Sequence, residues 1–281
     1  MAQGNPIESH YARSGLVAAI RDGLAARGKS VAGVSIGDLA PVDEFHIGGR
    51  EATAALLDQL AIGREQHFLD VGCGIGGATR FAAATYGCRV TGIDLTADFV
   101  AAAAELSGWV GLAGRVAYRQ ASALDLPFGA AAFDGAYMIH VGMNIADKAR
   151  LFAEVARVLA PGAAFGVYDV MATGGGAIDF PVPWAGDPAH SALDTPAAYR
   201  SLLGDAGFAV VAERDRGQFA LDFFEALRAR APATGGVPAL GLHLVMGADA
   251  PTKIGNMIAN IRSGRIAPVE IVARRAARTR T

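Results

Sequence analysis

A short apolar run that passes a carboxylate and then breaks into glycines dominates this sequence: His67-Phe-Leu-Asp-Val-Gly-Cys-Gly-Ile-Gly-Gly77. Phe68, Leu69 and Val71 read as a buried strand, Gly72 to Gly77 as a tight turn, and residues 78–84 as the start of a helix. Strand, glycine turn and helix in that order are how an open α/β sheet presents a nucleotide-like ligand. Gly72 and Gly74 let the chain turn at positive φ and let a ligand approach bare backbone. Gly72, Gly74 and Gly77 also satisfy G-x-G-x-x-G, so a dinucleotide site has to be weighed.

The rest of the chain places this turn in a repeating pattern. Residues 9–27 carry Leu16, Ile20 and Leu24 at four-residue spacing and predict an amphipathic helix ended by Gly28. Residues 39–51 read as irregular, and a helix is expected over 51–60. Strands are expected over 89–94, 115–120, 133–140 and 163–170. Between them fall a helix with Thr96 as N-cap and another over 147–160, stopped by Pro161-Gly162. Residues 171–194 hold three consecutive glycines and several prolines and read as a long loop. Thr195-Pro196 opens a helix closed by Gly207, followed by a strand over 208–213, helical patterns over 219–229 and 252–261, and a last strand over 269–274. Strands alternating with helices give a parallel sheet with right-handed crossovers.

Composition narrows the function classes. Lys plus Arg is 25 and Asp plus Glu 27, a net charge of 25 − 27 = −2, which argues against a broad nucleic-acid footprint or a membrane-surface protein. Two cysteines, Cys73 and Cys88, give neither a disulfide framework nor metal-ligand spacing, so no metal is expected. The first fifteen residues lack an apolar signal core and no run is long enough to cross a membrane, so a cytoplasmic protein is expected.

Asp70 chooses among ligands better than the glycines do. A carboxylate two residues before Gly72 would face the pyrophosphate of a dinucleotide, where like charges are unfavourable. A ligand with an amino group and a sulfonium suits it, and S-adenosylmethionine is such a ligand. Asp94 ends the next strand, 94 − 72 = 22 residues beyond the first glycine, and can accept both ribose hydroxyls of an adenosine.

The run from Phe68 to Gly76 resembles the first motif of the class I, seven-stranded S-adenosylmethionine-dependent methyltransferases. Gln120 to Phe128 with Phe133-Asp134, then Leu159 to Gly162, and Leu203 to Phe208, resemble later motifs of that family in the same order. The resemblance covers residues 67–215. It implies an α/β fold with a three-layer, Rossmann-like doubly wound sheet of seven mostly parallel strands, an N-terminal helical lid, and insertions after strands 5 and 6. No repeat or second glycine fingerprint occurs, so residues 1–281 read as a single domain: 1–60 the lid, 61–215 the cofactor-binding core, 216–281 the C-terminal helices and last strand. The implied cofactor contacts are Asp70, Gly72, Gly74, Gly76, Asp94, Leu95, Ser122 and Ala123. Ser122 departs from the pattern, since the family commonly has an acidic residue there to read the adenine amino group.

The flanks Asp43 to Thr53, Tyr11 and His140 to Asn144 resemble the small-molecule branch, which includes sarcosine/dimethylglycine and phosphoethanolamine N-methyltransferases and some quinone and sterol C-methyltransferases. Methyl transfer is an in-line displacement, so the protein mainly aims the nucleophile and excludes water. His140, at the end of the fourth strand, is the candidate catalytic residue, set to position or deprotonate the acceptor; its alternative is a histidine satisfied by backbone. Tyr11, His46, Met143, Asn144 and Trp184 are candidate substrate contacts, each with helix packing, turn formation or loop anchoring as the alternative. The C-terminal arginines Arg274, Arg275, Arg278 and Arg280 read as a solvated tail, with nothing aromatic between them.

The expected partner is a small-molecule acceptor, with no nucleic acid and no membrane; a homodimer is the assembly left open. A small amine of the glycine-derivative kind is the expected acceptor, with Arg50 available for its carboxylate. The alternative is C- or O-methylation of a quinone, phenol or other natural product. A nicotinamide-dependent oxidoreductase ranks behind both, because no Tyr-x-x-x-Lys pair accompanies the glycines.

Overall fold

The computed structural model describes residues 15–230 and 238–277. Tyr11, Arg278 and Arg280 lie outside them. Seven strands form one sheet in the order β3-β2-β1-β4-β5-β7-β6: β1 (His67–Val71), β2 (Arg89–Asp94), β3 (Val116–Gln120), β4 (Phe133–Ile139), β5 (Leu159–Ala172), β6 (Phe208–Asp215) and β7 (Ile266–Arg275). All pairings are parallel except those of β7, which runs antiparallel between β5 and β6. The last strand is therefore an interior strand, and its burial along Ile266–Ala273 shows the sheet needs it. Strand order reverses between β1 and β4, so their carboxyl ends part and leave a crevice.

Alternation along β1 explains the layers. Leu69 and Val71 point to one face and pack with Phe133, Phe152 and Phe165; Phe68 points to the other and packs with Tyr137, Val90 and Leu56. The first face is covered by α6 (Lys148–Val158) and α7 (Pro196–Asp205), the second by α3 (Gly49–Leu57) and α4 (Gly77–Tyr86). Between β2 and β3 runs α5 (Ala97–Trp109).

The N-terminal part holds α1 (Leu16–Ala26) and α2 (Ile36–Asp43). Leu16, Ile20 and Leu24 dock α1 as their spacing requires, against Leu39, Phe99, Leu106 and Val245. The irregular reading of residues 39–51 is corrected over 39–43 and over 49–51, where α3 already begins at Gly49. Ser35 Oγ accepts from Asp38 N and Asp38 Oδ2 accepts from Ser35 N at 3.0 Å, a capping box strong enough to start an eight-residue helix despite Pro41 inside it. Thr96 stands at the N-cap of α5, but its side chain caps nothing; Asp94 Oδ1 accepts from Thr96 N instead. Helix α6 stops at Val158 because Leu159 is already extended and paired with Phe133.

After β6 come α8 (Gly217–Arg230), the single turn α9 (His243–Met246) and α10 (Ala250–Arg262). Among the described residues no helix is long and apolar enough to cross a membrane.

Candidate active site

Backbone hydrogen bonds fold the glycine turn onto β2. Gly72 N and Cys73 N both donate to Ile93 O, at 2.9 and 2.8 Å, and Gly74 N donates to Asp94 Oδ2 at 2.9 Å. Gly72, at φ +74°, has no room for a side chain: a Cβ would lie 2.4 Å from Val141 Cγ2. Gly74 differs. Its φ of +52° favours glycine, and nothing lies within 4 Å of where a Cβ would sit, so bare backbone faces open space.

Gly76 is a correction to the expected contacts. At φ +84° its Cβ would meet the Tyr118 hydroxyl at 2.5 Å and Arg80 Nη1 at 2.9 Å, so this glycine starts α4 over buried side chains and does not border the cavity.

That cavity has a volume of about 480 Å³ and opens at the carboxyl ends of β1, β2 and β4. Asp70, Gly72, Gly74, Asp94, Leu95, Ser122, Ala123, His46, His140, Met143, Asn144 and Trp184 all line it, so the structure brings together every expected contact within the described residues except Gly76. Among its described lining residues none is lysine or arginine.

The two carboxylates differ in what holds them. Asp70 is 2 % exposed, and its Oδ2 accepts from Thr79 Oγ1 at 2.6 Å. Burial pushes its carboxyl up to about 7, against the opposing Thr79 hydrogen bond. Asp94 is fixed by two backbone amides, Gly74 N and Thr96 N, each at 2.9 Å; burial raises it too. Ser122 Oγ accepts from Leu124 N at 3.2 Å, so this oxygen is partly committed to its own turn.

His140 sits at the end of β4 with φ +56°, a conformation uncommon outside glycine. Its backbone N donates to Tyr168 O at 2.7 Å, which satisfies the main chain but not the ring. Nε2 is buried without a hydrogen-bond partner among the described residues. Burial, reinforced by nearby His46, holds the imidazole well below its usual range, so it is neutral. The His46 ring lies 5.9 Å away, its Nε2 donating to Gly49 O at 3.0 Å.

Asp169 on β5 sets the His140 loop, and sequence reasoning missed it. Its two oxygens accept from Val141 N at 2.7 Å, Gly142 N at 2.9 Å and the Tyr199 hydroxyl at 3.0 Å. Burial pushes this carboxyl up to about 7. Nothing local marks it, because its partners lie about thirty residues away on either side. Trp184 both lines the cavity and anchors its loop, donating from Nε1 to Ser191 Oγ at 3.0 Å.

A second buried pair was also missed. Arg80 and Asp43 are fully buried side chains joined at 2.5 Å, and Arg80 Nη1 also donates to Ser107 Oγ at 3.2 Å. Burial pushes the Asp43 carboxyl up to about 6 although the guanidinium opposes it. The pair clamps the end of α2 to α4 and sets Asp43 in the cavity wall.

Next to the first cavity lies a second of about 610 Å³, between α8 and α10. Phe45, His46, His140, Pro183 and Met257 border both. Arg50, the expected carboxylate anchor, borders neither: its Nε donates to Glu44 Oε1 at 3.0 Å.

Residues 69–167 match the family model described as a methyltransferase domain. The O-methyltransferase cnsE of Penicillium expansum is 36% identical over 159 residues, 54% of this chain and 55% of that protein. The chloroplastic tocopherol O-methyltransferase of Arabidopsis thaliana is 38% identical over 94 residues, 34% of this chain and 26% of that one. The chain thus spans about half the length of the first relative and a quarter of the second. A solved geranyl diphosphate C-methyltransferase of Streptomyces coelicolor A3(2), holding Mg2+, geranyl-S-thiolodiphosphate and S-adenosyl-L-homocysteine, superposes with a TM-score of 0.67 at 21% identity, covering 98% of this chain and 100% of that one. Residues 69–167 thus carry a methyltransferase domain, and the described residues adopt the seven-stranded α/β fold that the motifs imply.

Proposed function

We propose that this chain is an S-adenosylmethionine-dependent methyltransferase that methylates an oxygen or carbon atom of an apolar small molecule. The observation that carries the reading is one cavity with a buried carboxylate at Asp70, a second at Asp94, open backbone at Gly74 and His140, whose Nε2 has no hydrogen-bond partner among the described residues. The residues fit the cofactor. Asp70 suits a cationic amino group, Asp94 a ribose diol, and the apolar Ile93, Leu95 and Phe99 a flat base. A pyrophosphate finds no lysine or arginine among the described lining residues, which disfavours the nicotinamide reading.

When bound, S-adenosylmethionine supplies an electrophilic methyl carbon, whose bond to sulfur breaks with the electron pair leaving on sulfur as the acceptor atom bonds to it. His140 receives the acceptor's proton on Nε2, the role its neutral ring permits. His46 and Met143 narrow the space beside it, and Trp184 closes the wall, which keeps water from the reacting atoms.

The acceptor shifts from the amine that the family flanks suggested. Arg50 is held by Glu44 away from both cavities, so the arginine singled out for a glycine-derivative carboxylate is at neither, while the neutral histidine suits a hydroxyl or an acidic C–H. Relatives named as O-methyltransferases support the same choice. Replacing His140 by Ala tests it: methyl transfer falls by about a hundredfold or more while S-adenosylhomocysteine affinity is kept. Unchanged turnover removes His140 from the chemistry.

A further inference from the structure

We infer that the second cavity is a separate chamber for the body of the acceptor, and that its occupant is an uncharged lipophile of ring size presenting a single hydroxyl or enol to His140. The inference rests on the methyltransferase reading and adds the acceptor's class and seat.

The shared wall is the first argument. Because His46, His140, Pro183 and Met257 border both cavities, an occupant of the second lies beside the histidine ring that also faces the first. The second argument is chemistry. Leu221, Phe223 and Phe224 from α8 face Ile254 and Ile258 from α10 across this space, and Met246 adds a deformable thioether. Leu227, 49 % exposed although apolar, stands where α8 meets solvent.

The polar groups give the third argument. Glu44 is taken by Arg50 and Thr53, and Asp222 accepts from Gln218. Glu225, Arg228 and Arg262 are exposed. With Glu44 paired to Arg50, Asp222 and Glu225 stand against Arg228 and Arg262, so the lining offers no net positive seat for a carboxylate or a phosphate. The histidines are then the polar side chains that border the occupant at the inner end, where the buried His140 Nε2 has no hydrogen-bond partner among the described residues. A volume of about 610 Å³ falls within the range that holds a drug-sized molecule.

Binding of 1-naphthol and 4-octylphenol, with 4-hydroxybenzoate as the charged comparator, tests this by calorimetry on the full chain saturated with S-adenosylhomocysteine. The two lipophilic phenols are expected to bind at least tenfold more tightly than the benzoate. Ile258→Trp and, separately, Leu221→Trp fill the chamber and are expected to weaken both phenols tenfold or more, with S-adenosylhomocysteine affinity kept within twofold. Kept cofactor-product affinity also certifies that each variant folds. Phenol binding that neither variant weakens, or absent phenol binding, overturns the chamber while leaving the methyltransferase reading intact. A wild-type chain that does not bind S-adenosylhomocysteine overturns both.

Discussion

At Asp70, burial and use pull in opposite directions. The carboxyl is pushed up to about 7 by desolvation, whereas a free aspartate titrates near about 3.9. Between those values the folded chain holds a proton that the unfolded chain has released, so ionised Asp70 weakens the ligand-free fold as pH rises toward 7. A cationic ligand reverses the preference by pairing with the carboxylate. Affinity for S-adenosylmethionine is therefore expected to rise as pH rises through about 7, with a proton released on binding below that value. Calorimetry in two buffers of different ionisation enthalpy measures the released proton. Asp43 and Asp169 titrate in the same window, so Asp70→Asn is the control. It should remove the Asp70 share of the pH dependence, leaving that of Asp94, which burial also raises, and weaken binding about ten- to a hundredfold, the worth of a charged hydrogen bond. At Asp169, replacement by Asn turns an amide N–H toward Val141 N or Gly142 N and should cost about 1–3 kcal/mol in urea unfolding. Tyr199→Phe spares both backbone bonds and should cost less.

At the level of elements, what was legible followed local pattern. The strands of the core and the glycine turn were plain because apolar runs and glycines report on neighbours a few residues away. Asp70, Asp94 and His140 stand at or beside strand ends, where an open sheet exposes its ligand edge, and that position is what the sequence pattern conveys. Residues 39–43 read as irregular, whereas the Ser35–Asp38 capping box starts a helix that runs through Pro41. Arg80 and Asp169 were not legible at all. Each acts through partners 23 to 37 residues away, and sequence spacing carries no record of such contacts. The Arg80–Asp43 pair ties the N-terminal helices to the cofactor cavity. Arg80→Met leaves Asp43 buried without its cation and should destabilise the chain by about 3–5 kcal/mol. Replacing Asp43 by Leu in the same chain should recover much of that loss, as urea unfolding of the single and double variants will report.

For the whole molecule, the sheet reversal, the N-terminal helices and the α8–α10 layer converge on one side, where two cavities share a histidine-bearing wall. Ligand binding there should stabilise the entire fold. S-adenosylhomocysteine at a hundred times its Kd is expected to add about 2.7 kcal/mol, and NADH at the same concentration nothing, as thermal unfolding will show. The decisive measurement is transfer of labelled methyl from S-adenosylmethionine to lipophilic phenols and enols set beside sarcosine-type amines. The expected result is label on oxygen or carbon of the lipophilic acceptors, matched by S-adenosylhomocysteine formed, reduced in Asp70→Asn at limiting S-adenosylmethionine and lost in His140→Ala. Label appearing on the amines alone, or none on any acceptor by a chain that binds the cofactor, would contradict it.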